Sequence, residues 1–455
     1  MALDGASVIE LLKKNLSAQS QFAVPPDPQN SIGNARWTTY KAPSFSATVK
    51  PANVADIQSA IKYATENGIP FHVTATGHHF TGMFEKMKNV LEIDISSLKD
   101  IKIDKAANTM TIGGAVRTSI GGCSTTGIVG VTLGGGLNRW QGLYGLMIDN
   151  LLSVEMITAT GELVKASAKE NQELFWGLRG AGFNFGTVVS ATYKIYDARS
   201  GGDVLIADMI LPYTVGSEIM RILKGWEENQ PPALSVAVVA TWNDEAGGPC
   251  FRVGALYVDG IEEGKKHLQP FLDLQPMVQD IRPIPWNEVN KKWLFGIDAM
   301  LGAYGKRRIF YSGHIRRFDN PTFEWHFAEL VKLWEKYPAA RHTLLVIEDW
   351  ATKAAAEVPD DETAYPHRDI ICHMLLIGQS TDPALEPMLE EWLKNVRARY
   401  QATSGSNPLQ VYISYASGDE DQETLYGKSK LDRLRGLKRN WDPKGVFNFN
   451  NPIII

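Results

Sequence analysis

Two short segments carry most of the chemistry that the residues alone suggest. Thr74-Ala75-Thr76-Gly77-His78-His79-Phe80 follows an expected strand and consists of small residues and one glycine before two histidines. A tight turn of such residues exposes successive backbone N–H groups, a concavity suited to a pyrophosphate, and small side chains let the phosphates approach. The same segment also reads as an ordinary turn whose histidine satisfies a local hydrogen bond. The second segment, Gly121 to Gly136, holds seven glycines and no charged residue. Glycine loses more conformational freedom on folding than other residues and offers no side chain to pack. This density therefore implies close approach of the backbone to something flat or anionic. The G-x-G-x-x-G dinucleotide fingerprint is not matched. Cys123, inside this stretch, reads by default as a small buried apolar residue; its thiol matters only if it can ionise and reach an electrophile.

The elements that must hold these loops follow from periodicity. Asn53 is a plausible helix cap for Val54 to Asn67, and Gly68 closes that helix. Asn89 to Ile95, Ile101 to Asp104 and Thr109 to Ile112 alternate apolar with polar residues, as half-buried antiparallel strands do, with a turn at Ala106-Ala107-Asn108. Strand, turn and helix follow from Leu151 to Asp197. From about Gly201 to Ser406 longer strands such as Leu234 to Ala240 alternate with helices such as Phe323 to Lys336 and Ala384 to Gln401, which reads as a second domain. Gln410 to Tyr415 reads as a strand, and Leu431, Leu434 and Leu437 share one face of a final helix that stops at Asp442-Pro443.

With 455 residues the chain exceeds one ordinary core, so two lobes and a cleft are expected. A net charge of −5 with no run of like charge argues against nucleic acid as a partner. No stretch approaches the ~20 apolar residues of a membrane helix. Cys123, Cys250 and Cys372 are too few and too scattered for a disulfide framework or a zinc site. The N-terminus shows no basic region followed by an apolar core, so the expectation is a cytoplasmic protein or a trimmed secreted one.

Together these features resemble a fungal berberine bridge enzyme-like FAD oxidase of the vanillyl-alcohol oxidase (PCMH-type FAD-binding) superfamily. The matching stretches are Thr74 to His78; Gly122-Cys123-Ser124 with Gly127, Gly130 and the triple glycine from Gly134; Tyr144-Gly145-Leu146 with Asp149-Asn150; Leu174 to Gly180; and Tyr412-Ile413-Ser414-Tyr415. The resemblance implies an α+β fold with a two-lobed PCMH-type FAD-binding domain and an α/β substrate domain carrying a large antiparallel sheet. Its parts are a helix and extension at 1–40, the FAD domain at 41–199, the substrate domain at 200–408 and a C-terminal return to the FAD domain at 409–455. By position, the resemblance assigns His78 to the flavin 8α-methyl carbon and Cys123 to flavin C6. Gly134 follows Cys123 by the family's interval of eleven residues, and His78 directly follows Gly77, the family's glycine-histidine step. The chain departs from the family between Val116-Arg117-Thr118-Ser119 and Gly121-Gly122-Cys123, where a helix is usual and this sequence runs almost directly on.

The resemblance also implies the remaining site residues. Thr74, Ala75, Thr76, Gly77, His79, Gly127, Gly130, Gly134 and Val188 contact the cofactor, and Asn450, in Phe447 to Pro452, contacts the flavin or its ribityl chain. The expected strand at Gln410 to Tyr415 lies beside the flavin. Its two tyrosines point to opposite faces, so one faces the substrate: Tyr412 is the expected base and Tyr415 a packing partner. Glu348, at the end of an apolar strand, is a second candidate base if desolvation raises its pKa, although an acid there is ordinarily solvated. The implied reaction is hydride transfer from a small secondary metabolite or sugar alcohol to FAD, with dioxygen as the final oxidant. Two alternatives are an acid–base isomerase or cyclase scaffolded by flavin, and a non-catalytic flavin-binding relic.

Overall fold

The computed structural model describes residues 4–24, 35–117, 121–406 and 408–455. The junction before Cys123 at which the sequence departs from its family, residues 118–120, lies outside them. Sixteen strands among the described residues form three sheets. The first contains β1 (Gln21–Ala23), β2 (Phe45–Lys50), β3 (Phe71–Thr74) and β4 (Val90–Asp94) in the order β1-β2-β4-β3. The second contains β5 (Ile101–Asp104), β6 (Thr109–Gly113), β7 (Leu151–Ile157), β8 (Leu163–Ser167) and β9 (Thr187–Lys194) in the order β5-β6-β9-β7-β8.

The third sheet is antiparallel throughout and is the largest. It contains β10 (Asp203–Pro212), β11 (Leu234–Asn243), β12 (Gly248–Tyr257), β13 (Val278–Pro285), β14 (Ile309–Ile315), β15 (Leu344–Trp350) and β16 (Cys372–Gly378) in the order β13-β10-β12-β11-β15-β16-β14. The structure is thus α+β with a large antiparallel sheet.

Helix Val54–Glu66 forms as its sequence predicts. The Asn53 side chain accepts from Asp56 N–H, and Gly68 leaves the helix at φ +62°. Its apolar stripe, Ile57, Ala60, Ile61 and Ala64, is fully buried with Ala47 and Val49 of β2 and Leu91 and Ile93 of β4. β4 differs from expectation: it pairs in parallel with β2 and β3, and all five of its residues are buried. The polar half of its alternation turns inward to partners, since Glu92 accepts from Thr48 Oγ1 (2.9 Å) and Asp94 accepts from Ser96 N–H (2.7 Å).

One face of the large sheet is covered by helix Glu386–Thr403, which packs on β14 and β16 and against helix Asn320–Lys336. Cross-strand register aligns three rows over β15, β16 and β14: Glu348, His373 and His314; Val346, Leu375 and Ser312; Leu344, Ile377 and Phe310. Members of these rows share a face by alternation, and Glu348, Leu375, Ile377 and Phe310 line a cavity.

Ile128–Leu133, inside the glycine-dense stretch, is a short helix that buries Ile128, Val129, Thr132 and Leu133. One further expectation is corrected. Gln410 to Tyr415 is not a strand; Ile413–Tyr415 is a 3-10 turn, with Tyr415 N–H donating to Tyr412 O (2.7 Å) and Ala416 N–H to Ile413 O. Tyr412 and Tyr415, three residues apart on a helical turn, therefore lie side by side, ring centroids 5.0 Å apart. The final helix, Leu431–Trp441, buries Leu431, Leu434 and Leu437 as predicted.

Candidate active site

A cavity of about 350 Å³ lies between the open face of the large sheet and the two loops singled out in the sequence. β3 ends at Thr74, and the chain turns at Gly77, whose φ of +70° favours glycine. His78 emerges from this turn and stacks on Trp37, ring centroids 5.0 Å apart and planes inclined by 24°. Burial, seconded by the Arg308 charge, pushes its pKa down to about 3. The imidazole is neutral at physiological pH and keeps a nitrogen lone pair for bond formation. His79 packs instead between Phe80 and Phe84.

Cys123 Sγ lies 3.4 Å from His78 Nε2 and 3.1 Å from Thr125 Oγ1. Burial pushes the thiol's pKa up, so Cys123 is held as a thiol at neutral pH. The two loops interlock: a Cβ added to Gly127 would stand 3.0 Å from Thr76 Cγ2, and Tyr304 Oη donates to Thr76 O (2.7 Å) with Thr125 O at 3.3 Å.

Tyr412 and Tyr415 both line the cavity, contrary to the expectation that only one could face it. Their hydroxyls differ in what they do. Tyr412 Oη accepts from Gly136 N–H (3.1 Å) and donates to Val131 O (3.1 Å), which ties it to the glycine-rich segment. Tyr415 Oη donates to Glu348 Oε2 at 2.9 Å. Glu348 is not solvated as expected: it is 7% exposed, and burial raises its pKa to about 7, an effect moderated by the Tyr415 hydrogen bond and the charge of Arg139.

Thr74, Ala75, Thr76, Gly77, His78, His79, Cys123, Gly127, Gly130, Val188, Glu348 and Asn450 line the cavity with the two tyrosines. Gly134 does not. Its missing Cβ makes room for Ser414, whose Oγ would be 2.5 Å away, just as Gly135 (φ +134°) makes room for the rings of Tyr365 and Tyr412. The triple glycine therefore seats the tyrosine segment.

Sequence reasoning missed Arg139, Trp37 and Phe310. Arg139 is 2% exposed; its Nη1 donates to Asn290 Oδ1 (2.5 Å), Trp293 lies under its guanidinium, and Nε and Nη2 have no hydrogen-bond partner. A lone charge in Leu137-Asn138-Arg139-Trp140, directly after an uncharged run, was the available signal. Phe310 touches the Phe80 ring at 4.0 Å and, with Trp37, walls the cavity with aromatic surface. No periodicity marks such single aromatics.

Comparison with known proteins identifies the family. The family model described as FAD binding domain matches residues 45–120, and that described as Berberine and berberine like matches 411–454. The FAD-linked oxidoreductase srdI of Neurospora crassa is 38% identical over 435 residues, covering 92% of this chain and 86% of that protein. The FAD-linked oxidoreductase tazG of Aspergillus terreus is 36% identical, covering 92% and 88%. Among solved structures, BBE-like 1 of Physcomitrella patens superposes with a TM-score of 0.85 at 20% identity over 98% of this chain and 99% of that one. A glucooligosaccharide oxidase from Acremonium strictum, described with a 6-S-cysteinyl, 8α-N1-histidyl FAD, superposes with a TM-score of 0.80 at 20% identity over 98% and 99%.

The residues present fit a flavin nucleotide. The cavity offers a neutral imidazole and a thiol at one point, and a buried hydroxyl, Thr187 Oγ1, that has no hydrogen-bond partner. A buried polar atom left in this state is expected to find its partner in a ligand.

Proposed function

We propose an activity from a fixed premise: the chain belongs to the berberine bridge enzyme-like family of fungal FAD-linked oxidoreductases and is itself an FAD-dependent oxidoreductase. Its reaction is oxidation of an alcohol or phenol carbon in a small organic molecule, with the flavin held by two covalent bonds and dioxygen as the final electron acceptor. The observation that carries this reading is the 3.4 Å approach of His78 Nε2 to Cys123 Sγ in the cavity that also holds Glu348.

His78 would hold the 8α-methyl carbon and Cys123 would hold C6 of the flavin ring system. Thr74 to His79, Gly127, Gly130, Thr187, Val188 and Asn450 would bind the rest of the cofactor. FAD, when bound, supplies the hydride acceptor and is returned to its oxidised form by dioxygen, with hydrogen peroxide as product.

The chain's own groups provide proton transfer and fit. Glu348 takes the proton of the substrate hydroxyl, either directly or through Tyr415, whose phenol it already accepts from. This reverses the sequence expectation: Tyr415 is the acid–base tyrosine, and Tyr412, engaged by Gly136 and Val131, is the anchoring one. Trp37, Phe80, Phe310, Trp350, Leu375 and Ile377 give the cavity an apolar, largely aromatic lining. That lining favours an aromatic or polyene secondary metabolite over a sugar.

Anaerobic mixing of the purified holoprotein with a panel of benzylic, allylic and sugar alcohols tests the reading. Bleaching of the flavin's visible band by a benzylic or allylic alcohol, and peroxide formation on admitting air, are the expected results. A compound that is converted without bleaching and without change of mass would replace this reading with flavin-scaffolded isomerisation, which the buried Glu348–Tyr415 pair could equally perform.

A further inference from the structure

The Cys123 loop is held from across the cleft. Asp298 accepts two hydrogen bonds from Ser124, the residue next to Cys123: N–H to Oδ1 at 2.8 Å and Oγ–H to Oδ2 at 2.5 Å. A carboxylate that accepts twice from one residue fixes both the position and the orientation of that backbone unit. Thr125 Oγ1 adds a bond to Gly302 O (3.4 Å), and Tyr304 Oη reaches both Thr125 O and Thr76 O.

The segment that supplies these contacts is itself pinned. Upstream, Asp208 of β10 accepts from Leu294 N–H (2.7 Å) and Phe295 N–H (2.8 Å) with its two oxygens. Leu294 and Phe295 adopt left-handed φ angles of +53° and +55°, a conformation that apolar L-residues avoid unless the surroundings impose it. Downstream, Arg308 donates to Met300 O (3.0 Å) and Ala303 O (2.8 Å), and Trp37 Nε1 donates to Leu301 O (2.5 Å). Trp37 is the ring on which His78 stacks. One rigid segment, Asp298 to Tyr304, thus touches the supports of both flavin-linking side chains.

We propose that Asp298 is a positioning residue for flavin attachment: by gripping Ser124 it sets Cys123 Sγ beside His78, and so determines whether the cysteinyl bond forms. The inference rests on the bicovalent reading above. The bond in question forms between Sγ and flavin C6 as the S–H and C6–H bonds break, and the two electrons and two protons pass to dioxygen as hydrogen peroxide. The hydrogen bonds, not the charge, carry the role. Asn in place of Asp298 can still accept from Ser124 N–H with Oδ1, while its amide donates to Ser124 Oγ.

The test is peptide mass analysis of purified, FAD-saturated holoprotein in four forms: wild type, Asp298→Ala, Asp298→Asn and Ser124→Ala, with free thiols counted after denaturation. In wild type, the His78 and Cys123 peptides are expected as one species joined through FAD. Asp298→Ala is expected to carry FAD on the His78 peptide alone, with Cys123 recovered as a free thiol. Asp298→Asn restores the joined species. Ser124→Ala, a milder lesion, forms it about tenfold more slowly in a time course, as loss of one hydrogen bond to a charged group implies. Full joining in Asp298→Ala, or loss in both Asp298→Ala and Asp298→Asn, overturns the proposal. Should Asp298→Ala not fold, wild-type rates in Ser124→Ala overturn it as well. A wild type whose Cys123 peptide carries no FAD overturns the bicovalent reading instead, so the two failures are distinct.

Discussion

Tyr415 donates its phenolic proton to Glu348 at 2.9 Å, joining a residue of the C-terminal turn to one on β15, an interior strand of the large sheet. In the proposed reaction this buried pair carries the proton transfer. Replacing Glu348 by Gln should lower the rate of flavin reduction by about 10² to 10⁴, the usual loss when a general base is removed. Tyr415→Phe should lower it less, by about 10- to 100-fold, since the carboxylate remains. Stopped-flow measurement of the anaerobic half-reaction checks both, and equal flavin content in all three proteins shows that binding is intact.

The pH dependence follows from the same carboxyl. Burial raises the Glu348 pKa to about 7, and only the ionised form accepts a proton, so the rate of flavin reduction should climb as pH rises through 7. Arg139 opposes this upward shift by favouring the ionised form. Arg139→Met should therefore move the rising limb to higher pH while leaving its plateau in place. An unmoved limb in Arg139→Met would separate the guanidinium from the base.

A second buried acid affects stability, not rate. Asp349 is 3% exposed, its pKa is raised to about 8 by burial and then by the charge of Glu227, and its Oδ2 has no hydrogen-bond partner. Between the carboxyl's ordinary pKa and about 8 the folded state binds a proton that the unfolded state has released, so stability falls as pH rises across that range. Asp349→Asn should remove this loss, raising Tm by several degrees at pH 8 and changing it little at pH 4. Thermal melts of the two proteins at both pH values decide it.

Gly135 is required by space and by backbone geometry. Its φ is +134°, and an added Cβ would meet the Tyr365 ring at 2.7 Å. Gly135→Ala should destabilise the protein by about 2–5 kcal/mol through strain and overpacking together, read as a lowered denaturant midpoint. Flavin content should drop as well, because Tyr412 is seated by the same contact. Gly436→Ala is the control: no atom lies within 4 Å of its added Cβ, its φ is ordinary, and little change is expected.

The parts of this fold that local residues dictate were legible in the sequence. Asn53 and Gly68 marked both ends of one helix, Leu431, Leu434 and Leu437 marked the buried stripe of another, and Gly77-His78 marked the loop that opens the cavity. What failed was set by tertiary partners. β4 alternates like a half-exposed strand, yet Thr48 and Ser96 supply partners for its acids and allow complete burial. Tyr412 to Tyr415 carries strand-forming residues, but the segment turns against the triple glycine, which brings both tyrosines to the cavity. Glu348 is buried because Tyr415 and Arg139, 67 residues later and 209 earlier, meet it in space. No local pattern encodes that meeting.

The central claim is that His78 and Cys123 both bind the flavin covalently, and acid precipitation tests it most directly. Wild-type holoprotein, His78→Ala, Cys123→Ala and the double variant are precipitated in acid, washed, and the pellets examined for flavin by absorbance and peptide mass. Colour that stays with the wild-type pellet, stays with each single variant through its one remaining bond, and is lost only from the double variant is the predicted result. Flavin washing free from the wild-type pellet would contradict the account.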